Sequence, residues 1–330
     1  METFSLTPIN LKRISANKLG LGTWSFAGDS YGAISEDAVK KILFKAMDLG
    51  IQFVDTSPTY GDGRSETLIG KYADKRVVKI ATKVGMIPHK GKIIPHDFSR
   101  NNIIDSVDKS LKRLNLDRIH LLQLHSPLRD YIEKYSDLIE TLEILIKSGR
   151  VEEVGISLRS PDFVQFQLND FEWRSVQFNC SLLDQRVRKY GFKASESNSL
   201  VIARTVLNFG FLTSGFQLNE TKNPLHHLSN WPQDQIDKWS FGANAMQELS
   251  LKLGRSIETL ALRYPIDSQI ADLILVGANS AEQLTHNQGE LDQEELSQDE
   301  LEAIHETYKG LESALTIDSP YTYKNVENAT

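Results

Sequence analysis

Four side chains that could act together in acid–base chemistry stand at the ends of three apolar runs. Asp55 and Tyr60 follow one run, Lys83 ends the next, and His125 ends the one after that. A tyrosine, with a reference pKa of about 10, needs help to donate a proton near neutral pH, and a neighbouring ammonium favours its phenolate. The aspartate would hold the lysine, and the histidine could donate a hydrogen bond to a carbonyl oxygen. Each residue alone has an ordinary structural explanation, but together they suit the reduction of a carbonyl, given a hydride source.

The apolar runs alternate with amphipathic helices along most of the chain. Ser35 is a suitable N-cap, helical spacing follows from Val39 to Met47, and Gly50 stands where a helix ends. Counting from Gly20, the alternation predicts eight strands, and apolar strands separated by helices favour a parallel sheet. Eight units over about 250 residues predict an α/β fold, a closed (β/α)8 TIM barrel. The predicted strands lie at residues 19–24, 51–55, 77–83, 119–125, 151–157, 175–179, 200–204 and 273–277.

The other segments fit around this barrel in one domain spanning residues 1–330. A short N-terminal hairpin is predicted at 1–19, and a long loop at 205–235 follows the seventh strand, where lids and binding loops occur. Ser297 and Glu300 have the spacing of a capping box and begin an extra C-terminal helix. Residues 314–330 have no strong pattern and are expected to be loosely ordered. In such a barrel the active site lies at the C-terminal ends of the strands, which is where the four candidate residues fall.

Composition limits the class of protein. The 330 residues are 40% hydrophobic and 25% charged with a net charge of −7, which suits a globular protein and gives no sign of nucleic acid or anionic membrane as a partner. The single cysteine, Cys180, excludes an internal disulfide and a cysteine-based metal cluster. No apolar run approaches the roughly 20 residues of a membrane-spanning helix, and the first residues do not resemble a secretory signal. A cytoplasmic location is therefore expected.

Motifs along nearly the whole chain are similar to those of the aldo-keto reductases. They include Gly22-Thr23-Trp24, residues 54–61, Ser65-Glu66, Thr82-Lys83, residues 121–125 and 154–157, Gln177, residues 210–213, Gly277-Ala278, residues 282–284 and Asn287. The resemblance implies that Tyr60 is the general acid, that Lys83 assists it, that Asp55 anchors Lys83 and that His125 orients the substrate carbonyl. It also implies hydride transfer from NADP(H), with NAD(H) as the less frequent cofactor, and no metal.

The same resemblance implies a set of cofactor-binding residues. Ser157 and Gln177 would hold the nicotinamide amide, but Leu158 stands where the family usually has asparagine, and Arg204 stands where an aromatic ring usually stacks. Asn279 and Gln283 lie where members selective for NADPH often have a cation, so the sequence itself does not select between the two cofactors. Gln283 is also placed to cap a helix with Ser280. The full predicted set is Thr23, Trp24, Asp55, Ser157, Gln177, Arg204, Thr205, Leu207, Asn208, Gly210, Gly277, Asn279, Gln283 and Asn287.

The predicted substrate is a small carbonyl compound that contacts Trp24, Tyr60 and His125. The loop after His125 is short, which predicts an open site suited to a sugar or modified sugar, and His226 and His227 in the long loop are candidate substrate contacts. Two alternatives remain open at this stage: an NAD-linked sugar dehydrogenase, and a nicotinamide-binding regulatory or sensor protein with little turnover. The sequence indicates no particular oligomeric state.

Overall fold

The computed structural model describes residues 17–89, 91–129, 133–159, 171–216, 224–317 and 319–325. The predicted N-terminal hairpin therefore lies almost entirely outside the described residues. In this part of the chain the strands are β1 Leu19–Gly22, β2 Phe53–Asp55, β3 Lys79–Val84, β4 Ile93–His96, β5 Ile119–His125, β6 Val151–Ser157, β7 Ser175–Asn179, β8 Leu200–Arg204, β9 Leu273–Gly277 and β10 Thr322–Asn325.

Eight of these strands form a closed parallel barrel in the order β1-β2-β3-β5-β6-β7-β8-β9. Strand β1 pairs with both β2 and β9, which closes the ring. This confirms the predicted TIM barrel. Four strand limits differ from the prediction. Strand β1 ends at Gly22, so that Trp24 begins a short 3-10 turn, and β2 begins at Phe53. Strand β3 begins at Lys79, since Val77 lies in a turn and is 42% exposed, and it ends at Val84.

The α-helices of the described residues pack around the barrel. They are α1 Glu36–Asp48, α2 Arg64–Tyr72, α3 Arg100–Leu114, α4 Leu138–Lys147, α5 Gln233–Leu253, α6 Ile257–Asp267, α7 Ala281–Leu291 and α8 Gln298–Leu311. Three helix ends follow directly from the sequence. The Ser35 hydroxyl accepts a hydrogen bond from the Ala38 N–H at 3.1 Å, Gly50 has a φ of +72° just beyond α1, and Ser297 and Glu300 form the predicted capping box of α8.

The barrel interior changes from apolar to polar toward the C-terminal ends of its strands. Phe53 and Leu121 belong to a fully buried apolar cluster inside the barrel. Side chains two residues apart on a strand share a face, so Asp55 and Gln123 lie directly above that cluster. The apolar layer closes the barrel below the polar residues, and chemistry is confined to the upper rim.

The C-terminal tail corrects one prediction. Residues 322–325 are not loosely ordered: they form β10, which pairs in parallel with β4, outside the barrel. Before this strand the tail passes Arg159, whose guanidinium donates to the Ser319 hydroxyl, and the Tyr321 ring lies 6.0 Å from that of Trp231. The tail thus contacts loops that follow β6 and β8. The pairing joins segments more than 200 residues apart, so local patterns in the sequence do not reveal it.

The long segment after β8 is organised at both of its described ends. Residues 205–216 continue from β8 through tight turns, and residues 227–230 form a 3-10 turn before α5 begins at Gln233. No helix of the described residues is long and apolar enough to cross a membrane.

Glu153 is an ionisable side chain near the opposite end of the barrel. It is 6% exposed, its Oε2 has no hydrogen-bond partner among the described residues, and it pairs in register with the buried Leu121. Burial raises the pKa of Glu153 to about 7, against the attraction of Arg174. Between about pH 4.5 and pH 7, the folded chain therefore keeps a proton on this carboxyl that the unfolded chain has lost.

We expect this proton to make stability fall as pH rises from about 4.5 to 7, because the folded state binds more protons than the unfolded state in that window. A Glu153→Gln variant should lose this slope and gain on the order of 1 kcal/mol above pH 7, with allowance for solvent near the barrel end. Thermal unfolding of both proteins at pH 5 and pH 8 tests this. Parallel pH profiles of the two melting temperatures would contradict the assignment.

Candidate active site

A buried ion pair stands at the C-terminal ends of β2 and β3. Lys83 Nζ donates a hydrogen bond to Asp55 Oδ1, and these side chains are 1% and 4% exposed. Lys83 Nζ also donates to the Thr56 carbonyl oxygen at 2.8 Å and lies 3.3 Å from the Tyr60 hydroxyl oxygen. The structure thus brings Asp55, Lys83 and Tyr60 into one contact group.

A sharp turn after β2 returns Tyr60 to the lysine. The Tyr60 N–H donates to the Ser57 carbonyl oxygen at 3.1 Å, and Gly61 follows with a φ of +62°. A Cβ at Gly61 would lie 2.8 Å from the Ala27 carbonyl oxygen, so no larger side chain fits there without movement. Packing against the turn after β1 therefore fixes the position of the phenol.

Opposing effects set the charge of Lys83. Burial by itself would lower the pKa of its ammonium, but attraction by Asp55 and Tyr60 and the hydrogen bonds to both outweigh burial. The pKa of Lys83 is raised as a result, and the residue carries a positive charge beside the phenol at neutral pH.

The second oxygen of Asp55 is held by two amides from across the barrel. Gln123 Nε2 and Gln177 Nε2 each donate to Asp55 Oδ2 at 3.0 Å, and the Ser157 hydroxyl donates to Gln177 Oε1 at 2.8 Å. Because both carboxylate oxygens are engaged, Asp55 is rigidly placed for its contact with Lys83. Gln123 was not predicted, although a signal exists: it lies two residues before His125 and so shares its face of the strand.

His125 stands beside the phenol as a neutral imidazole. Its ring lies edge-on to the Tyr60 ring with centroids 6.3 Å apart, and its Nδ1 is 3.2 Å from the Ser57 hydroxyl oxygen. Its carbonyl oxygen is 3.1 Å from His96 Nε2. Burial, with the positive charge of Lys83, holds the pKa of His125 well below the usual value. If Ser57 donates to Nδ1, the ring proton is on Nε2, which is then a hydrogen-bond donor.

A cavity of about 480 Å³ extends from Tyr60 along the ends of β8 and β9. Its size is ordinary for a small-molecule site. Most predicted site residues line it: Thr23, Trp24, Asp55, Tyr60, Arg204, Thr205, Leu207, Gly210, Gly277, Asn279, Gln283 and Asn287. The other predicted residues are not in the lining: Lys83, His125, Ser157, Gln177 and Asn208.

A strained turn forms one wall of the cavity. Thr205, Asn208 and Phe209 have positive φ angles of 62°, 44° and 61°, a backbone conformation that residues other than glycine rarely adopt. Asn208 is 4% exposed, and its Nδ2 has no hydrogen-bond partner among the described residues. The strained backbone and the unbonded Nδ2 of Asn208 lie close to the cavity, which indicates that a bound ligand would accept a hydrogen bond here.

Arg204 and Leu158 depart from the family pattern, and they contact each other. Arg204 Nη2 donates to the Leu158 carbonyl oxygen at 3.0 Å, and its Nη1 donates to Asn179 Oδ1. Thr205 donates to that same oxygen at 2.9 Å. The guanidinium is thus fixed at the cavity wall.

The far end of the cavity holds amides and a carboxylate. Gln283 Oε1 accepts from the Asn279 N–H at 2.8 Å, and the Ser280 hydroxyl accepts from the Gln283 N–H at 3.2 Å. The predicted cap at Ser280 is therefore present, with the Gln283 side chain one residue further back than a capping box requires. Glu258 accepts from both the N–H and the hydroxyl of Ser214 at 2.7 Å. Among the described residues, no lysine or arginine lines this end.

Aromatic rings cover the side of the cavity nearest Tyr60. The Trp24 ring lies 6.4 Å from the Tyr60 ring, 5.4 Å from that of Tyr31 and 4.7 Å from that of His227. Tyr31 and His226 line the cavity as well. Tyr31 was not recognised from the sequence, because a lone tyrosine before a helix carries no distinctive pattern.

Comparison with known proteins gives consistent matches. The model of the aldo/keto reductase family matches residues 18–309. The aldo-keto reductase YhdN of Bacillus subtilis is 27% identical, over 82% of this chain and 84% of that protein. The L-galactose dehydrogenase of Arabidopsis thaliana is 28% identical, over 93% and 97%. The structure of the glycerol dehydrogenase AKR11B4 from Gluconobacter oxydans superposes with a TM-score of 0.73 at 25% identity, over 88% of this chain and 90% of that chain.

Proposed function

The chain belongs to the aldo/keto reductase family, and from that premise we propose that it interconverts an aldehyde or ketone and the corresponding alcohol with Tyr60 as general acid and base. The observation that carries this proposal is the 3.3 Å contact between the Tyr60 hydroxyl and the Lys83 ammonium. In the reducing direction, a nicotinamide cofactor held in the cavity would supply the hydride to the carbonyl carbon. Tyr60 gives its proton to the carbonyl oxygen, and the alcohol results.

Lys83 serves this step by stabilising the phenolate that Tyr60 becomes. The two groups meet in a buried environment, where a charge–charge interaction is stronger than in water. Asp55 keeps the ammonium in place, and Gln123 and Gln177 hold Asp55 in turn. The chain thereby prepares the charge distribution before the substrate arrives, which is the main source of electrostatic catalysis.

His125 has a different role in the proposal, as a neutral hydrogen-bond donor. When the Ser57 hydroxyl donates to Nδ1, the ring proton is on Nε2 and can be donated to the carbonyl oxygen. This bond strengthens as negative charge develops on that oxygen and orients it toward Tyr60. An imidazolium would place a second positive charge beside Lys83, which the depressed pKa of His125 avoids.

A dinucleotide in this cavity would have its reactive ring near Tyr60. Asn208 Nδ2 and the turn around it would hold the pyrophosphate, and the N-terminus of α7 points partial positive charge at the opposite wall. Arg204 would flank the nicotinamide. Gln177 keeps its bond to Asp55 and would hold the nicotinamide amide through its second side-chain N–H, while Ser157 fixes its orientation.

For the cofactor, we infer that NAD(H) is used at least as well as NADP(H), although the resemblance alone favours NADP(H). Asn279 and Gln283 offer amides where a 2′-phosphate needs cations, and the nearby carboxylate of Glu258 would repel it. This observation also favours the alternative of an NAD-linked sugar dehydrogenase, which is the same chemistry in reverse. The sensor alternative has no such support, since the contacts among Asp55, Lys83 and Tyr60 are those a catalyst requires.

Initial rates of NADH and NADPH oxidation with a panel of aldehydes and ketones test both proposals. We expect turnover, with kcat/KM for NADH equal to or above that for NADPH. A Gln283→Arg variant should move the preference toward NADPH by about tenfold, because it adds a cation for the phosphate. No turnover with any carbonyl would contradict the function. A tenfold preference of the parent for NADPH would contradict only the cofactor assignment.

A further inference from the structure

The peptide bond that follows His125 is held from both sides at the rim of the barrel. On the side of β6, the Ser126 N–H donates to the Ser157 carbonyl oxygen at 2.8 Å. In a trans peptide the N–H and C=O groups point in opposite directions, so the His125 carbonyl oxygen faces the side of β3. There it lies 3.1 Å from His96 Nε2. Since a carbonyl oxygen only accepts, the Nε2–H of the His96 imidazole is the donor.

The His96 imidazole stands where β3 no longer reaches. Val84, the last residue of β3, pairs with Leu124, and the chain turns away at Gly85, whose φ is +98°. The His125 carbonyl oxygen therefore lies beyond the end of this neighbouring strand, and a side chain supplies its donor. His96 is fully buried, and burial lowers the pKa of its imidazole to about 4. The ring is thus neutral at physiological pH and keeps one proton, which it uses for this bond.

The turn that His96 supports has a strained backbone. Ser126 has a φ of +50° and is 6% exposed. A residue other than glycine keeps such a conformation only where its surroundings hold it. The imidazole of His125, which lies beside Ser57 and Tyr60, is attached at the start of this turn. If the bond from His96 were lost, the turn would relax and the His125 ring would move, and a displacement of about 1 Å can cost a reaction roughly a hundredfold.

Strand β4 carries His96 and is paired on both of its sides. On one side, Met86 forms an antiparallel bridge with His96. On the other side β10 runs parallel to β4, with Asn325 in register with His96. This pairing begins where the Thr322 N–H donates to the Lys92 carbonyl oxygen at 2.8 Å. The last described strand of the chain is therefore attached to the segment that supports His125.

We propose that His96 is a positioning residue that fixes His125 through its backbone carbonyl, and that the pairing of β10 with β4 holds His96 in place. The inference rests on the proposed function, since it assumes that His125 donates a hydrogen bond to the substrate oxygen. His96 does not line the cavity, and it acts only through His125. The C-terminal strand thereby supports catalysis from outside the barrel.

Substitutions at two positions separate the hydrogen bond from the packing around it. His96→Leu removes the Nε2–H donor and leaves an apolar side chain in the buried site. His96→Gln restores a donor, because the amide nitrogen of glutamine reaches about as far as Nε2. Thr322→Pro removes the N–H that donates to Lys92. Thr322→Ala is its matched control, since it changes only an exposed side chain and keeps that N–H.

A double-mutant cycle tests whether His96 acts through His125. His96→Leu should lower kcat for carbonyl reduction about tenfold in the parent, but less than twofold in a His125→Asn background, where no imidazole is left to position. His96→Gln should recover most of the parent rate. A tenfold loss in both backgrounds would mean that His96 supports the fold alone, and it would overturn the proposal.

The Thr322 pair tests the contribution of β10 in the same assay. Thr322→Pro should lower kcat roughly three- to fivefold, because His96 is then held from one side only, and Thr322→Ala should leave it unchanged. Equal rates for the two Thr322 variants would overturn the role of β10.

The nitrogen-15 resonances of the imidazoles separate this inference from the proposed function, because they do not depend on turnover. His125→Asn identifies the His125 signals by their loss. These signals should shift or split in His96→Leu and return to the parent positions in His96→Gln. Unchanged His125 signals in His96→Leu would overturn the proposal even in an enzyme that reduces carbonyls. A shift in a protein that reduces no carbonyl would support the positioning role and contradict only the proposed function.

Discussion

The Tyr60→Phe variant is expected to reduce carbonyl substrates about a thousandfold more slowly than the parent, with the loss in kcat. The substitution removes only the hydroxyl, which lies 3.3 Å from Lys83 Nζ. The ring contacts with Trp24 and His125 remain, at centroid distances of 6.4 and 6.3 Å. Cofactor affinity should therefore be unchanged, because the phenol is lost as a proton donor and not as a wall of the cavity.

Two measurements separate chemistry from binding in this variant. Single-turnover oxidation of bound NADH reports the chemical step, and quenching of tryptophan fluorescence reports cofactor binding. Tyr72→Phe is the matched control, since it removes a tyrosine hydroxyl that bonds Glu36 away from the cavity. A Tyr60→Phe enzyme that keeps more than a third of the parent rate would show that another group supplies the proton.

The barrel follows from the sequence because each unit is specified locally. Val39, Ile42, Leu43 and Ala46 lie on one face of α1, and all four are buried against the barrel. The outermost strands of a parallel sheet have backbone N–H and C=O groups without partners. Closing the sheet into a barrel pairs these groups with each other. The pairing of residues 93–96 with 322–325 has no comparable local signal, since neither segment alternates clearly and Pro95 interrupts the first.

The active site, like the fold, is predictable from the sequence only in part. The position of Asp55, Lys83 and His125 at strand ends is enough to predict that they share one rim. What the sequence does not reveal is which polar atoms meet. Gln123 completes the hold on Asp55 from across the barrel, and Arg204 reaches back to the Leu158 carbonyl oxygen. Such contacts depend on side-chain reach across the barrel, which no local pattern encodes.

The contact between Arg204 and Leu158 changes how those two residues are interpreted. Taken separately, each is a departure from the family pattern and an argument for a modified nicotinamide face. In the structure Leu158 contributes its backbone carbonyl, which any residue could offer, and its side chain is buried. The arginine is therefore the substantive change, and it brings a fixed positive charge to the cavity wall.

A Lys83→Met variant is expected to lose both activity and stability. The methionine fills the space of the aliphatic stem but leaves the Asp55 carboxylate without its countercharge, in a site where the two side chains are only 1% and 4% exposed. Removing one partner of a buried pair costs roughly 3–5 kcal/mol of unfolding free energy. Gln123 and Gln177 still donate to Asp55, which places the expected cost near the lower limit. Carbonyl reduction should fall at least about a hundredfold, because the phenolate of Tyr60 is no longer stabilised.

The double variant Lys83→Met with Asp55→Asn separates the loss of activity from the loss of stability. Neutral asparagine removes the uncompensated charge, so we expect the unfolding free energy to recover by about 2 kcal/mol relative to Lys83→Met alone, measured by urea denaturation. Activity should not recover, because the ammonium beside Tyr60 is still missing. Recovery of stability without activity would show that the buried charge serves the phenol and is not needed to hold the barrel together. If the double variant were instead as unstable as Lys83→Met, the ion pair would be part of the framework of the fold, and the rate lost by either variant could not be ascribed to chemistry at Tyr60.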